Sequence, residues 1–215
     1  MLDVHPVHHA AQGWRDFVVH IATITVGLLI AIGLEQTVEY FHRQHQVAEM
    51  KDSLREEGKE TQAAVAADIR QIDTTVAKLD IGIGRLQTSK SIDAPAEIIL
   101  ITPGNSAWSA ARDSGLLSVA PRILVDNYWK VYFLQEATVL QIRASYADLD
   151  TLQAMASVYP DAATMPPDSR EKMLVGLAGY REKLKVLKID LGLLSKITDL
   201  AINDRKIDTA PLYKQ

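Results

Sequence analysis

The chain has no cysteine, and no histidine between Gln46 and Gln215. The first absence excludes disulfides, thiolate nucleophiles and cysteine-based zinc or iron–sulfur sites, but it fits either side of a bacterial inner membrane. The second removes the commonest general base and imidazole metal ligand from most of the chain. A strongly basic surface is also missing: the formal net charge is −4, so bulk electrostatics point to no nucleic acid partner. No GxxxxGK[ST], GxGxxG or HExxH pattern occurs, which leaves no phosphate loop, dinucleotide fingerprint or zincin helix. Gly82-Ile83-Gly84 falls inside a helical pattern, not between a strand and a helix. Asp148 and Asp150 are two apart, and helix neighbours at that spacing do not face each other. No catalytic residue, cofactor or metal is therefore expected, and the chain reads as a non-enzyme. Carboxylates with tyrosines are the one catalytic class its composition leaves.

What is present is one long apolar run. Residues 17–34, FVVHIATITVGLLIAIGL, carry no formal charge, and as a helix they extend roughly 27 Å, just under the ~30 Å hydrocarbon core of a bilayer. Two other readings compete with a membrane span. Ala31-Ile32-Gly33 has the small-residue spacing of a signal-peptide cleavage site, but Arg15 is the only firm positive charge before the run. A buried core helix seldom goes eighteen residues without a charge. The helical pattern also continues past Leu34, which favours a retained anchor. The expected division is a polar tail at 1–16, a transmembrane helix at 17–35 and a helical bundle at 36–215. Trp14 sits where an amphipathic ring favours the membrane interface.

Within the span, Thr23, Gly27 and Ala31 recur every four residues and form a small-residue face for membrane-helix packing. The expected partners are the bilayer and, through this face, either another membrane protein or a second copy of the chain. His20 lies beside the stripe near the interface, where a hydrated imidazole is the ordinary state. His5, His8 and His9 in the tail, and His42 with His45 after the span, lack the further ligands a metal site needs.

The remainder is helical in pattern. Leu54, Gly58, Thr61, Val65, Ile69, Ile72, Val76, Leu79, Ile83 and Leu86 trace one face of a helix running to about residue 89. Gly58, among dense charges, is the expected place for a bend. Pro95, Pro103 and Gly104 mark a loop with an extended, partly buried stretch at Ile98–Ile101. A short helix follows from Asn105 or Ser106 to Ser114, ended by Gly115, with Trp108 plugging one end of the bundle. Pro121 opens a helix to about Ser157, with Val125, Tyr128, Tyr132, Val139, Ile142, Tyr146 and Leu149 on one face. Asp168 with Glu171 predicts a capping box for the last helix. Its seam, Leu177, Tyr180, Leu184, Leu187, Leu191 and Leu194, keeps a strict 3-4 alternation. The fold class is all-α: an N-terminal transmembrane helix continuing into a long amphipathic helix, packed in an antiparallel helical bundle.

Two passages resemble a known group. Residues 27–36, GLLIAIGLEQ, followed by Val38-Glu39 and His42-Arg43, are similar to the membrane segment of a group of uncharacterised bacterial proteins. That group has one N-terminal span and a helical C-terminal region. The Ala107-Trp108 to Leu116-Leu117 stretch is similar to a second passage of the group. The resemblance implies a single-pass inner-membrane protein with its C-terminal domain in the periplasm. The charge count taken literally leans the other way, with Arg15 before the span against Arg43 and Lys51 after it. The expected function is a scaffold or accessory subunit of a membrane complex. The alternative is a ligand-sensing bundle that signals through a partner protein.

Overall fold

The computed structural model describes residues 13–88 and 98–208. The tail histidines and the loop residues 91–97 lie outside the described residues. Four helices form the fold: α1 (Trp14–Gln87), α2 (Ser106–Asp113), α3 (Arg122–Val158) and α4 (Pro167–Ile202). Single 3-10 turns stand at Leu116–Ser118 and Ala162–Thr164, and no strand occurs among the described residues. The fold is all-α. It divides into two compact units, Met1–Ala48 and Glu49–Gln215, and α1 contributes to both.

In the first unit, residues 13–45 are exposed without exception. This part of α1 contains a stretch long and apolar enough to cross a membrane. Its hydroxyls are satisfied inside the helix: Thr23, Thr25 and Thr37 donate to the carbonyls of Val19, Ile21 and Gly33 at 2.9, 2.8 and 2.7 Å. Bonded this way, threonine is cheap in an apolar medium.

In the second unit the polar cross-links set the helix directions. Asp73 pairs with Lys188 at 2.5 Å and Asp80 with Arg181 at 2.7 Å, so α4 runs antiparallel to α1. Asp148 meets Lys183 at 2.6 Å and Gln141 meets Asp190 at 2.7 Å, so α4 is antiparallel to α3 as well. Each exposed pair adds well under about 1 kcal/mol; the stability comes from the seam. On α4 the buried row is Met173, Leu177, Tyr180, Leu184, Leu187, Leu191, Leu194, Thr198 and Ala201, an unbroken 3-4 alternation. On α3 it is Leu124, Tyr128, Val131, Gln135, Thr138, Ile142, Ser145, Leu149, Leu152 and Ala156, equally regular. Val125, Val139 and Tyr146 are only partly buried, because the true row passes one residue away from them, through Leu124, Thr138 and Ser145. The same shift occurs on α1, where Asp68 and Thr75 take the buried positions expected for Ile69 and Val76.

Two local expectations change and a third holds. Gly58 makes no break in α1; a Cβ there would stand 3.0 Å from Ile202 Cγ1, so the glycine serves close approach to α4. The capping box at Asp168 is not formed. Pro166 is the N-cap and Pro167 opens α4, because proline's fixed φ suits the first turn and moves the start upstream of Asp168. Gly115 does follow the end of α2, at φ 75°, where a side chain would be strained. After α4, the chain reverses at Asp204, φ 55°. That turn is held by Lys51 at 2.9 Å and Arg55 at 2.5 Å.

Candidate functional site

The fourth rail of the bundle is an extended segment instead of a long helix. Residues 98–105 lie along α1 and α3, with Ile98 and Leu100 buried and Ile99 and Ile101 exposed. Extended backbone cannot satisfy its own amides, so a buried strap of this kind needs polar partners from the helices beside it. α1 and α3 supply them. Asp68 Oδ1 accepts from the Ile101 amide at 2.8 Å, and Tyr146 Oη accepts from the Leu100 amide at 2.8 Å. Gln135 Nε2 donates to the carbonyls of Pro103 and Gly104 at 3.0 and 2.8 Å. The Gln71 amide, in the orientation that satisfies both groups, brackets Ile99: Nε2 donates to its carbonyl at 2.5 Å and Oε1 accepts from its amide at 3.0 Å.

Where the strap becomes α2, Glu57 holds it. Its Oε2 accepts from the Ser106 hydroxyl and the Ala107 amide, each at 2.8 Å. Its Oε1 accepts a short hydrogen bond from the Tyr132 hydroxyl. The carboxylate therefore sits at the first turn of α2, where the helix dipole also favours negative charge. Trp108, one residue on, stacks on Tyr132 with ring centroids 5.2 Å apart and planes 15° from parallel. The stack leaves Trp108 partly buried against α3. Burial, and then the bond to Glu57, raises the Tyr132 phenol far above its ordinary value. Burial likewise pushes Tyr128 and Tyr180 up to about 12. These phenols stay protonated at physiological pH and are not phenolate bases; Tyr132 donates to Glu57, while the buried Tyr128 and Tyr180 hydroxyls have no hydrogen-bond partner among the described residues.

Beside this junction lies a groove of about 630 Å³, open between α2 and α3. Trp108, Arg112, Trp129, Phe133, Glu136 and Arg143 are among its lining residues. Trp129 and Phe133 stack at 5.4 Å and 18°, yet both are more than half exposed, as is Leu140 two turns on. Positions 129, 133, 136, 140 and 143 share one face of α3, so the ridge is apolar with charged groups set into it. Aromatic side chains and arginine are both enriched in protein interfaces relative to the rest of protein surfaces.

No protein-family model, curated protein or solved structure matches the chain. Among the described residues, no three His, Asp or Glu side chains gather as a metal site requires. The face Thr23, Gly27 and Ala31 is exposed in the first unit, with nothing within 4 Å of a Cβ built on Gly27. Leu177, Tyr180, Leu184, Leu187, Leu191 and Leu194 are all buried in the second unit. None of these six lines the groove.

Sequence reasoning missed Glu57, Asp68, Gln71 and Gln135. The available signal was register: counted in strict alternation of 4 and 3 from Leu54, the α1 seam runs through Gly58, Thr61 and Val65 and lands on Asp68 whatever its polarity, with Glu57 one residue beside it. Glu136 and Arg143, seven apart beside Trp129, Phe133 and Leu140, were likewise visible as an α3 stripe facing away from the seam.

Proposed function

We propose that this chain is a non-enzymatic, membrane-anchored adaptor: one apolar helix tethers a helical bundle that binds another protein of a membrane complex. The observation that carries the reading is the exposed Trp129–Phe133 stack with Leu140 beside the α2–α3 groove. Large aromatic side chains left in water at the centre of a groove are the usual anchors of a protein interface. Glu57, Asp68 and Gln135 support the reading, since these interior polar side chains are engaged in holding the strap and its junction with α2. The resemblance in residues 27–36 supports placement in a bacterial inner membrane with the bundle on the periplasmic side.

Purification in detergent at native expression should co-isolate a stoichiometric membrane protein, and Trp129→Ser with Phe133→Ser should lose it while the bundle still unfolds cooperatively. A solitary homo-oligomer, unchanged by the double substitution, overturns the reading. A ligand-sensing bundle is favoured by one feature, the guanidinium groups of Arg112 and Arg143 lining the same groove. It predicts that a small anion, and not a protein, raises the melting temperature. A periplasmic reporter fused to the C-terminus should be active; activity of a cytoplasmic reporter instead reverses the orientation.

A further inference from the structure

The uncharged run ends at Leu34, but the apolar surface of α1 does not. Val38, Tyr40 and Phe41 follow it, and all three are well exposed. Tyr40 and Phe41 meet edge to face, with centroids 5.8 Å apart. At the other end, Trp14 and Phe17 meet at 5.9 Å. The first unit thus carries an exposed aromatic pair at each end of its apolar stretch.

The spacing of the two pairs has a physical meaning. From Trp14 to Tyr40 is 26 residues, about 39 Å of helix. A bilayer measures ~40–45 Å with its headgroup layers. Gly27 lies 13 residues from each end (27 − 14 and 40 − 27), at the middle. The uncharged run alone, at about 27 Å, leaves the ~30 Å hydrocarbon core unfilled, whereas residues 17–38 supply about 33 Å, enough to fill it with a modest tilt. Between Leu34 and Tyr40 the polar groups are subdued. Thr37 bonds back to the Gly33 carbonyl at 2.7 Å, and Glu39 is paired with Arg43. Glu35 is the one charge this placement sets at the hydrocarbon edge, about 12 Å from the middle, where local thinning and hydration reduce its cost.

We propose that the lipid-contacting surface of α1 extends past the uncharged run to Tyr40 and Phe41, which stand at the headgroups of one leaflet as Trp14 does at the other, with Gly27 at the midplane. Residues 35–41 are then part of the anchor and not an aqueous spacer. Aromatic rings hold such positions because one edge is apolar and the other hydrogen-bonds. The inference rests on the anchor reading above, and the following measurement separates the two.

The chain has no cysteine, so single cysteines can carry a nitroxide without background. Leu28→Cys, Val38→Cys, Gln44→Cys and Ser53→Cys all replace exposed residues. The full chain is reconstituted in phosphatidylethanolamine–phosphatidylglycerol vesicles, and spin relaxation by oxygen is compared with that by a water-soluble nickel chelate. Leu28→Cys should be open to oxygen and closed to nickel. Val38→Cys should show a marked loss of nickel access relative to Ser53→Cys, and Gln44→Cys should match Ser53→Cys. Full nickel access at Val38→Cys with Leu28→Cys still protected overturns the extended anchor alone. Full nickel access at Leu28→Cys overturns the membrane anchor itself.

Discussion

The two halves of α1 share a backbone and differ in what surrounds their side chains. Residues 13–45 are exposed on every side, while from Val47 onward one row is buried and the opposite side is charged. In the second half, burying the row against α3 and α4 stabilises the helix by roughly 1.5–3 kcal/mol for each large apolar side chain removed from water. In the first half no protein removes them, and Ile24, Leu28 and Leu29 are each about 60% exposed. Secondary structure alone does not distinguish these cases. An all-round apolar helix awaits a different solvent, whereas a striped helix has found its partners.

That contrast can be broken most directly at the seam. Leu191 is fully buried, and Leu191→Ala should lower the unfolding free energy of the bundle by about 2–5 kcal/mol in denaturant titrations followed by circular dichroism. Leu29→Ala should leave the same transition unmoved; equal effects would abolish the distinction. Next in size is the strap junction. Glu57→Ala leaves the Ser106 hydroxyl, the Ala107 amide and the Tyr132 hydroxyl without their acceptor, a loss of about 3 kcal/mol. Hydrogen exchange should then accelerate at the Leu100, Ile101 and Ala107 amides well before those of α4. Uniform acceleration would mean that the strap is not a separate unit.

Glycines sharpen the comparison at a smaller scale. Gly82→Ala meets open space in a helix interior and should raise the melting temperature, equivalent to about 0.5–1 kcal/mol. Gly58→Ala should lose that gain against Ile202, and Gly27→Ala should not touch the bundle's transition. An effect of similar size, but dependent on pH, is at Asp68. Burial raises its carboxyl above the ordinary value, partly countered by the Ile101 amide, and its Oδ2 has no hydrogen-bond partner. The stability this group contributes is therefore fully present below its unfolded pKa and lost as pH rises through the folded one. Asp68→Asn should be more stable than the parent at neutral pH by about 1 kcal/mol. The gap should close in acid, as paired melts across pH would show.

The helices were readable in advance because their signals are local. Pro121, Gly115 and the α4 heptad stand where helix geometry requires them, and Ile98–Ile101 alternated as an extended, half-buried run should. The strap's attachment was not readable. Glu57 and Ser106 are far apart in sequence, and a carboxylate in a heptad looks like a surface charge until another segment brings it an amide and a hydroxyl. Hydrophobicity therefore moved the expected rows to Ile69, Val76 and Val139, one residue off the true seam. The groove failed for the opposite reason. Trp129 and Phe133 resemble core residues by type, and only the position of the neighbouring helices leaves them outside.

By itself the sequence determined the apolar run, the absence of thiols, the lack of imidazoles after His45 and the ends of α2 and α3, since each depends on composition or on neighbours a few residues away. The tertiary structure decided which polar side chains are interior and which aromatic ones remain in water. Those outcomes depend on what each side chain meets across the bundle: Glu57 and Asp68 meet backbone amides that need them as acceptors, and among the described residues nothing covers Trp129 and Phe133 fully.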